Sequence, residues 1–134
     1  MKTAVLDSVF GILIIIAITI AEFIVTLPFG MPGDVDSVGF ARIINRELLL
    51  TALPAGLITF AFAHLRKTNN RQSAVRISII WTVMIFLNYL LIGVGNKNLR
   101  EIFGTAGIYT LLACACVGPL AYYWIFLRRK QQPA

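Results

Sequence analysis

Glu22 is the one acidic residue that stands well inside an apolar run, about one and a half turns before the end of the stretch from Val9 to Leu27. Thr19, Glu22 and Thr26 are spaced three and four apart, so on a helix they form one polar stripe. A carboxyl at that depth must face other helices, find a partner or keep its proton, because charge is costly in a hydrocarbon setting. Arg42 and Arg46 beyond the end of that run, or Asn88 and Tyr89 from a later one, are the partners within reach. Two chemistries suit the pattern: a carboxyl that binds an ammonium group or couples a proton, and a structural carboxyl tied to one of the arginines. Arg42 and Arg46, four residues apart, would share a helix face, and a planar guanidinium suits a carboxylate. Asn88 and Thr19 would then be neighbouring polar ligands.

The remaining polar side chains read more plainly. Asp7 lies at the start of the first apolar run, where an N-cap is the simplest role. His64 precedes Arg66 and Lys67 and reads as an interface residue, and Trp81 and Trp124 as packing groups or interfacial anchors. Cys114 and Cys116 are two apart in an apolar run and point to different sides of a helix, so they are small thiols rather than a bridge. With one histidine and two cysteines in one segment, no zinc site can be completed. No phosphate loop, nucleophile elbow or His-Glu-x-x-His pattern occurs, so neither an enzyme, a metal site nor a cofactor is expected.

These residues need an apolar frame, and the sequence supplies little else. Of 134 residues, 58% are hydrophobic and 13% charged, and the mean hydropathy is +0.81. A soluble domain of this size could not hide that much apolar surface, so the expected class is an all-α integral membrane protein in a lipid bilayer. Four runs have spanning length, at 9–27, 48–65, 77–94 and 102–127, and form a single domain. The first is too long for a typical cleaved leader and reads as a retained signal anchor. Twelve Lys and Arg against six Asp and Glu give a formal charge of +6, but the basic residues cluster at the ends of apolar runs, which orientation explains without nucleic acid. Lys2, Arg66, Lys67, Arg71, Arg76, Arg128, Arg129 and Lys130 fall on one side. Arg42, Arg46, Lys97 and Arg100 fall on the other, with Asp34, Asp36, Glu47 and Glu101. The positive-inside rule then predicts that both termini face the cytoplasm. The loop from Pro28 to Asp36 is rich in Pro and Gly and reads as irregular, with Asp36 or Ser37 capping a helix that runs into the second span.

Small residues predict the packing faces, since helices in lipid associate by close backbone approach. The second span has Ala52, Gly56, Thr59 and Ala63, and the fourth has Ala106, Thr110, Cys114 and Gly118. Pro54 lies beside Gly56, and Pro119 beside Gly118. Each proline deletes a backbone donor, giving either a static kink or a hinge for gating.

Several positions together resemble the small bacterial L-alanine exporters: Asp7-Ser8 ahead of the first span, Glu22 late in it, Gly30-Met31 after it, Ser37 and Arg42 opening the second span, and Pro54-Ala55-Gly56 within it. The chain departs from that family where an Arg-Asp pair follows the Pro-Tyr-Gly, since Leu57 to Ala63 is apolar and Ala55 replaces the aromatic residue. The resemblance implies an exporter of a neutral amino acid in the bacterial inner membrane, driven by the proton gradient. A homo-oligomer, expected as a dimer, would enclose a path more easily than four helices alone. The alternative is a non-transporting accessory subunit of a larger membrane complex, docking through the small-residue faces. A flippase for a lipid-linked substrate ranks third.

Overall fold

The computed structural model describes residues 2–29 and 36–131. Among them every regular element is a helix. Helix α1 spans Lys2–Thr26 and ends in a tight turn at Leu27–Phe29, and α2 spans Ser37–Leu65. Helix α3 spans Arg71–Gly95, α4 is a short Leu99–Phe103 segment, and α5 spans Ala106–Tyr122. A widened π turn, Tyr123–Leu127, joins α5 to a last turn, α6, at Arg128–Gln131. Four helical stretches are long and apolar enough to cross a membrane: Lys2–Phe29, Val38–Leu65, Arg71–Gly95 and Ala106–Lys130. A 25-residue helix such as α1 is about 37 Å long, enough for a hydrocarbon core of about 30 Å. Gly30, Met31, Asp34 and the body of the loop expected to be irregular lie outside the described residues.

The helices outrun the apolar stretches because their polar flanks are good helix starts. The side chain of Asp36 accepts the Gly39 amide at 2.8 Å and fixes the beginning of α2. Asn70 does the same for α3, through the Ser73 amide at 2.7 Å. The fourth span differs from the expected 102–127. Ile102 belongs to α4, and the chain breaks at Gly104 and Thr105 before α5 begins at Ala106. Helices α2 and α3 end alike. The Thr68 amide reaches back to the Ala63 carbonyl at 3.2 Å and the Asn98 amide to Gly93 at 3.0 Å. In each turn a lysine takes the left-handed conformation that glycine would fill without cost, Lys67 at φ 56° and Lys97 at φ 57°.

Large apolar side chains cover the outside of all four spans: Phe23, Leu53, Leu91 and Val117 are each more than half exposed. That is the pattern of a bundle whose solvent is lipid. Its interior is a narrow core around Trp81, Ile14, Ile77, Ile85 and Leu111.

Helices α2 and α5 approach most closely, and glycine is the reason. A Cβ on Gly118 would collide with the Thr59 hydroxyl and would lie 2.7 Å from the Gly56 carbonyl oxygen. On α2 the expected small-residue face holds, with Ala52, Thr59 and Ala63 buried. On α5 it holds only in part. Cys114 and Gly118 face the seam, but Ala106 and Thr110 are exposed. The buried line runs instead through Gly107, Leu111, Ala115, Gly118 and Tyr122. Steps of four overshoot a full turn, so three such steps from Ala106 to Gly118 drift by about 120°. A seam that stays on one side must alternate threes and fours.

Candidate functional site

The polar groups converge in two places, at opposite ends of the bundle. The first is a cavity of about 300 Å³ bounded by α1, α2, α3 and α4. Helix α1 brings Glu22, and α2 brings Phe40, Ile43, Ile44 and Glu47 from one face. Helix α3 contributes Tyr89, and the turn into α4 contributes Asn98. The Tyr89 hydroxyl donates to Glu22 Oε2 at 3.0 Å. Tyr89 is itself buried, at 5% exposure, so the phenol is held in one orientation. Asn98 Oδ1 is buried and has no hydrogen-bond partner among the described residues. The polar lining is therefore two carboxyls, a phenol and an amide, with no basic side chain. Such a cavity has acceptors to spare and no positive charge to meet them. It is suited to a group that brings its own hydrogen-bond donors.

The expected residues are only partly brought together. Glu22 meets Tyr89, one of the four partners within its reach, and neither arginine. Arg46 is exposed, with its guanidinium stacked 4.1 Å from the centre of the Phe29 ring. Arg42 lines a separate surface cleft with Val38, Asn45 and Thr105. Thr19 is exposed and spends its hydroxyl on the Ile15 carbonyl of its own helix, so the stripe from Thr19 to Thr26 does not open into the cavity. Asn88 is half-buried and is not part of the cavity wall. The phase of α3 explains this: one residue along a helix is a rotation of about 100°, and Tyr89 has the inward position.

Gly56 on α2 and Gly118 on α5 meet at the α2–α5 seam, Pro119 is buried beside Gly118, and Pro54 is half-buried within α2. The outer side of the same seam forms a larger groove of about 530 Å³, lined by Leu53, Leu57, Phe60, Val117 and other apolar groups. It carries no polar group that could recognise a solute.

The second convergence was not foreseen. Asp7 is not a helix cap: it lies inside α1 and is 0% exposed. Its Oδ1 accepts from Arg66 Nε at 2.8 Å, and its Oδ2 from Arg76 Nε at 3.0 Å. Its backbone carbonyl accepts the Trp81 indole N–H at 2.9 Å. One aspartate thus ties α1 to the end of α2 and the start of α3. The sequence signal was an acid in the first turns of a span that begins after one basic residue, Lys2, but 59 and 69 residues separate it from its arginines. Close by in the fold, Ser78 Oγ donates to the Cys116 carbonyl at 2.6 Å, joining α3 to α5. His64 Nδ1 lies 3.3 Å from the Tyr122 hydroxyl, joining α2 to α5. At the other end the Gly107 amide donates to Asn45 Oδ1 at 2.8 Å and caps the start of α5.

No trio of His, Cys, Asp or Glu side chains among the described residues could hold a metal ion. The fold and its lipid-facing surface define a multi-pass, all-helical membrane protein. No known protein family matches the chain, and neither the curated proteins nor the solved structures contain a match.

Proposed function

We propose that this chain is a small membrane transporter that exports a neutral amino acid such as L-alanine, driven by the proton gradient. The observation that carries the reading is the acceptor-rich cavity of Glu22, Glu47, Tyr89 and Asn98, which has no cationic side chain in its wall. Carboxyls are expensive within a membrane bundle and are retained where a substrate or proton path uses them. The substrate ammonium takes the Glu22 and Tyr89 end of the cavity. Its carboxylate is assigned to Arg46, next in sequence to Glu47; Arg46 would leave its stack on the Phe29 ring to reach the substrate. The basic end of the bundle faces the cytoplasm, by the positive-inside rule, and the membrane is the bacterial inner membrane. Two copies work together as a homodimer.

The test is counterflow of labelled L-alanine in proteoliposomes, with wild type and Glu22→Gln side by side. Uptake by wild type that falls at least about tenfold in the variant, equivalent to about 1.4 kcal/mol, is the expected result. Uptake by both would reduce Glu22 to a structural carboxyl. Uptake by neither would overturn the assignment to alanine export.

A second reading is supported by the apolar α2–α5 groove: a non-transporting subunit that docks on a larger membrane complex through that face. Purification in mild detergent separates the two, since a stoichiometric foreign partner favours the subunit and a clean homo-oligomer the exporter.

A further inference from the structure

The Asp7 cluster has more positive charge and more hydrogen-bond donors than its own acid can use. A guanidinium carries about five N–H donors, while a carboxylate has about four acceptor sites. Two arginines on one aspartate therefore keep more than half of their donors unspent. Arg66 is nearly enclosed, with 16% of its side chain exposed, but Arg76 is 40% exposed and presents its free edge outward. Beside it on α3 is a shallow, open surface made by Arg71, Gln72, Val75, Arg76 and Ile79. These positions recur at three and four residues, so they form one face of the helix.

Along the helix Arg71 and Gln72 come first, Val75 and Arg76 follow about one turn on, and Ile79 lies one turn deeper. Val75, at 39% exposure, therefore sits between the two arginines, and Ile79, at 57%, continues the face toward the middle of the span. No acid lines it, and Asp7 offsets only one of the charges on Arg66, Arg71 and Arg76. Charge, donors and exposed apolar area together suit an occupant with an anionic, multi-acceptor head joined to an apolar tail.

We infer that this face of α3 binds one anionic phospholipid, its phosphate held by Arg71 and Arg76 and its acyl chain laid along Val75 and Ile79. Asp7 acts as a positioning residue: it fixes the Arg76 guanidinium, which would otherwise be one of many mobile cations at a membrane surface. A zwitterionic lipid fits less well, because its own ammonium group meets the same arginines. Free phosphate would satisfy the arginines of this face and leave Val75 and Ile79 unused. The inference does not depend on transport and stands or falls separately from it.

The test is native mass spectrometry of the whole protein in mild detergent, titrated with phosphatidylglycerol, phosphatidylcholine or inorganic phosphate. One saturable phosphatidylglycerol adduct, in preference to phosphatidylcholine, is expected. Arg71→Gln, an exposed substitution away from the Asp7 ion pairs, should weaken that adduct about fivefold, the equivalent of about 1 kcal/mol per basic residue near a lipid surface. Arg129→Gln removes the same charge from the same end of the bundle, outside this face, and should leave the adduct unchanged. Equal weakening by the two variants would mean a diffuse surface attraction and would overturn the site. Equal retention of the two lipids would overturn it as well, and so would displacement of the lipid by inorganic phosphate at equal concentration.

Discussion

Replacing Asp7 by Asn removes one charge and changes almost nothing in volume. The cost follows from its two partners. The Arg66 bond is short and largely shielded, at 2.8 Å with 16% of the arginine side chain exposed. A hydrogen bond between charged groups in such a setting contributes about 1.5–3 kcal/mol. The Arg76 bond is comparable in length, but that arginine is 40% exposed, and solvent screening reduces its share to about 0–1 kcal/mol. The Trp81 bond goes to the Asp7 backbone carbonyl and survives the substitution. A loss of about 2–4 kcal/mol is therefore expected, because two guanidiniums would be left facing each other. Unfolding in mixed micelles, followed by circular dichroism as denaturing detergent is raised, reads this directly. The double variant with Arg66→Gln should cost less than the two single variants added together, by at least about 1 kcal/mol. An Asp7→Asn protein within about 0.5 kcal/mol of wild type, or an additive cycle, would refute the reasoning.

Lys97→Gly should stabilise the protein by about 0.5–1 kcal/mol in the same assay, since glycine relieves a left-handed residue at φ 57° more than its extra chain entropy costs. Gly118→Val should destabilise by about 1–3 kcal/mol, because any Cβ there meets Thr59 and the backbone of α2. Ala106→Val, four-residue steps away on the exposed side of α5, should move stability by less than about 0.5 kcal/mol. Equal effects at 106 and 118 would mean that the α2–α5 seam follows a different line.

The spans were legible because an apolar run of membrane length has few alternatives, and the four runs survive in the structure. Their ends were less legible. Nothing in Leu99 to Phe103 marks it as a separate helix except Gly104 just beyond it, and the apolar Ile102 and Phe103 masked the break. The cavity was half visible: Glu22 announces itself by its cost in an apolar run, and Tyr89 was within its reach. Which of Asn88 and Tyr89 points inward depends on the rotation of α3, and its nearly uniform apolar composition does not fix that rotation. Glu47 reads in the sequence only as one of the acids beyond the spans, and Asn98 carries no signal of its own, although both complete the same wall. Asp7 shows the deeper limit. Its meaning depends on Arg66 and Arg76, which local spacing cannot connect to it, and in the sequence both are already accounted for by orientation.

The two kinds of helix contact divide the bundle mechanically. Helices α2 and α5 meet backbone to backbone at Gly56 and Gly118, whereas α1 and α3 are joined through side chains of α3, the Tyr89 hydroxyl on the Glu22 carboxyl near one end and the Trp81 indole on the Asp7 backbone carbonyl near the other. Between these two pairs, the polar ties from Arg66 to Asp7 and from Ser78 to Cys116 lie toward the basic end. Toward the opposite end the Glu22 cavity lies among α1, α2, α3 and α4. The turns that link the pairs are drawn tight around Lys67 and Lys97 and leave little slack for sliding. A change in the width of the Glu22 cavity would leave the ion pairs of Asp7, at the other end of the bundle, in place.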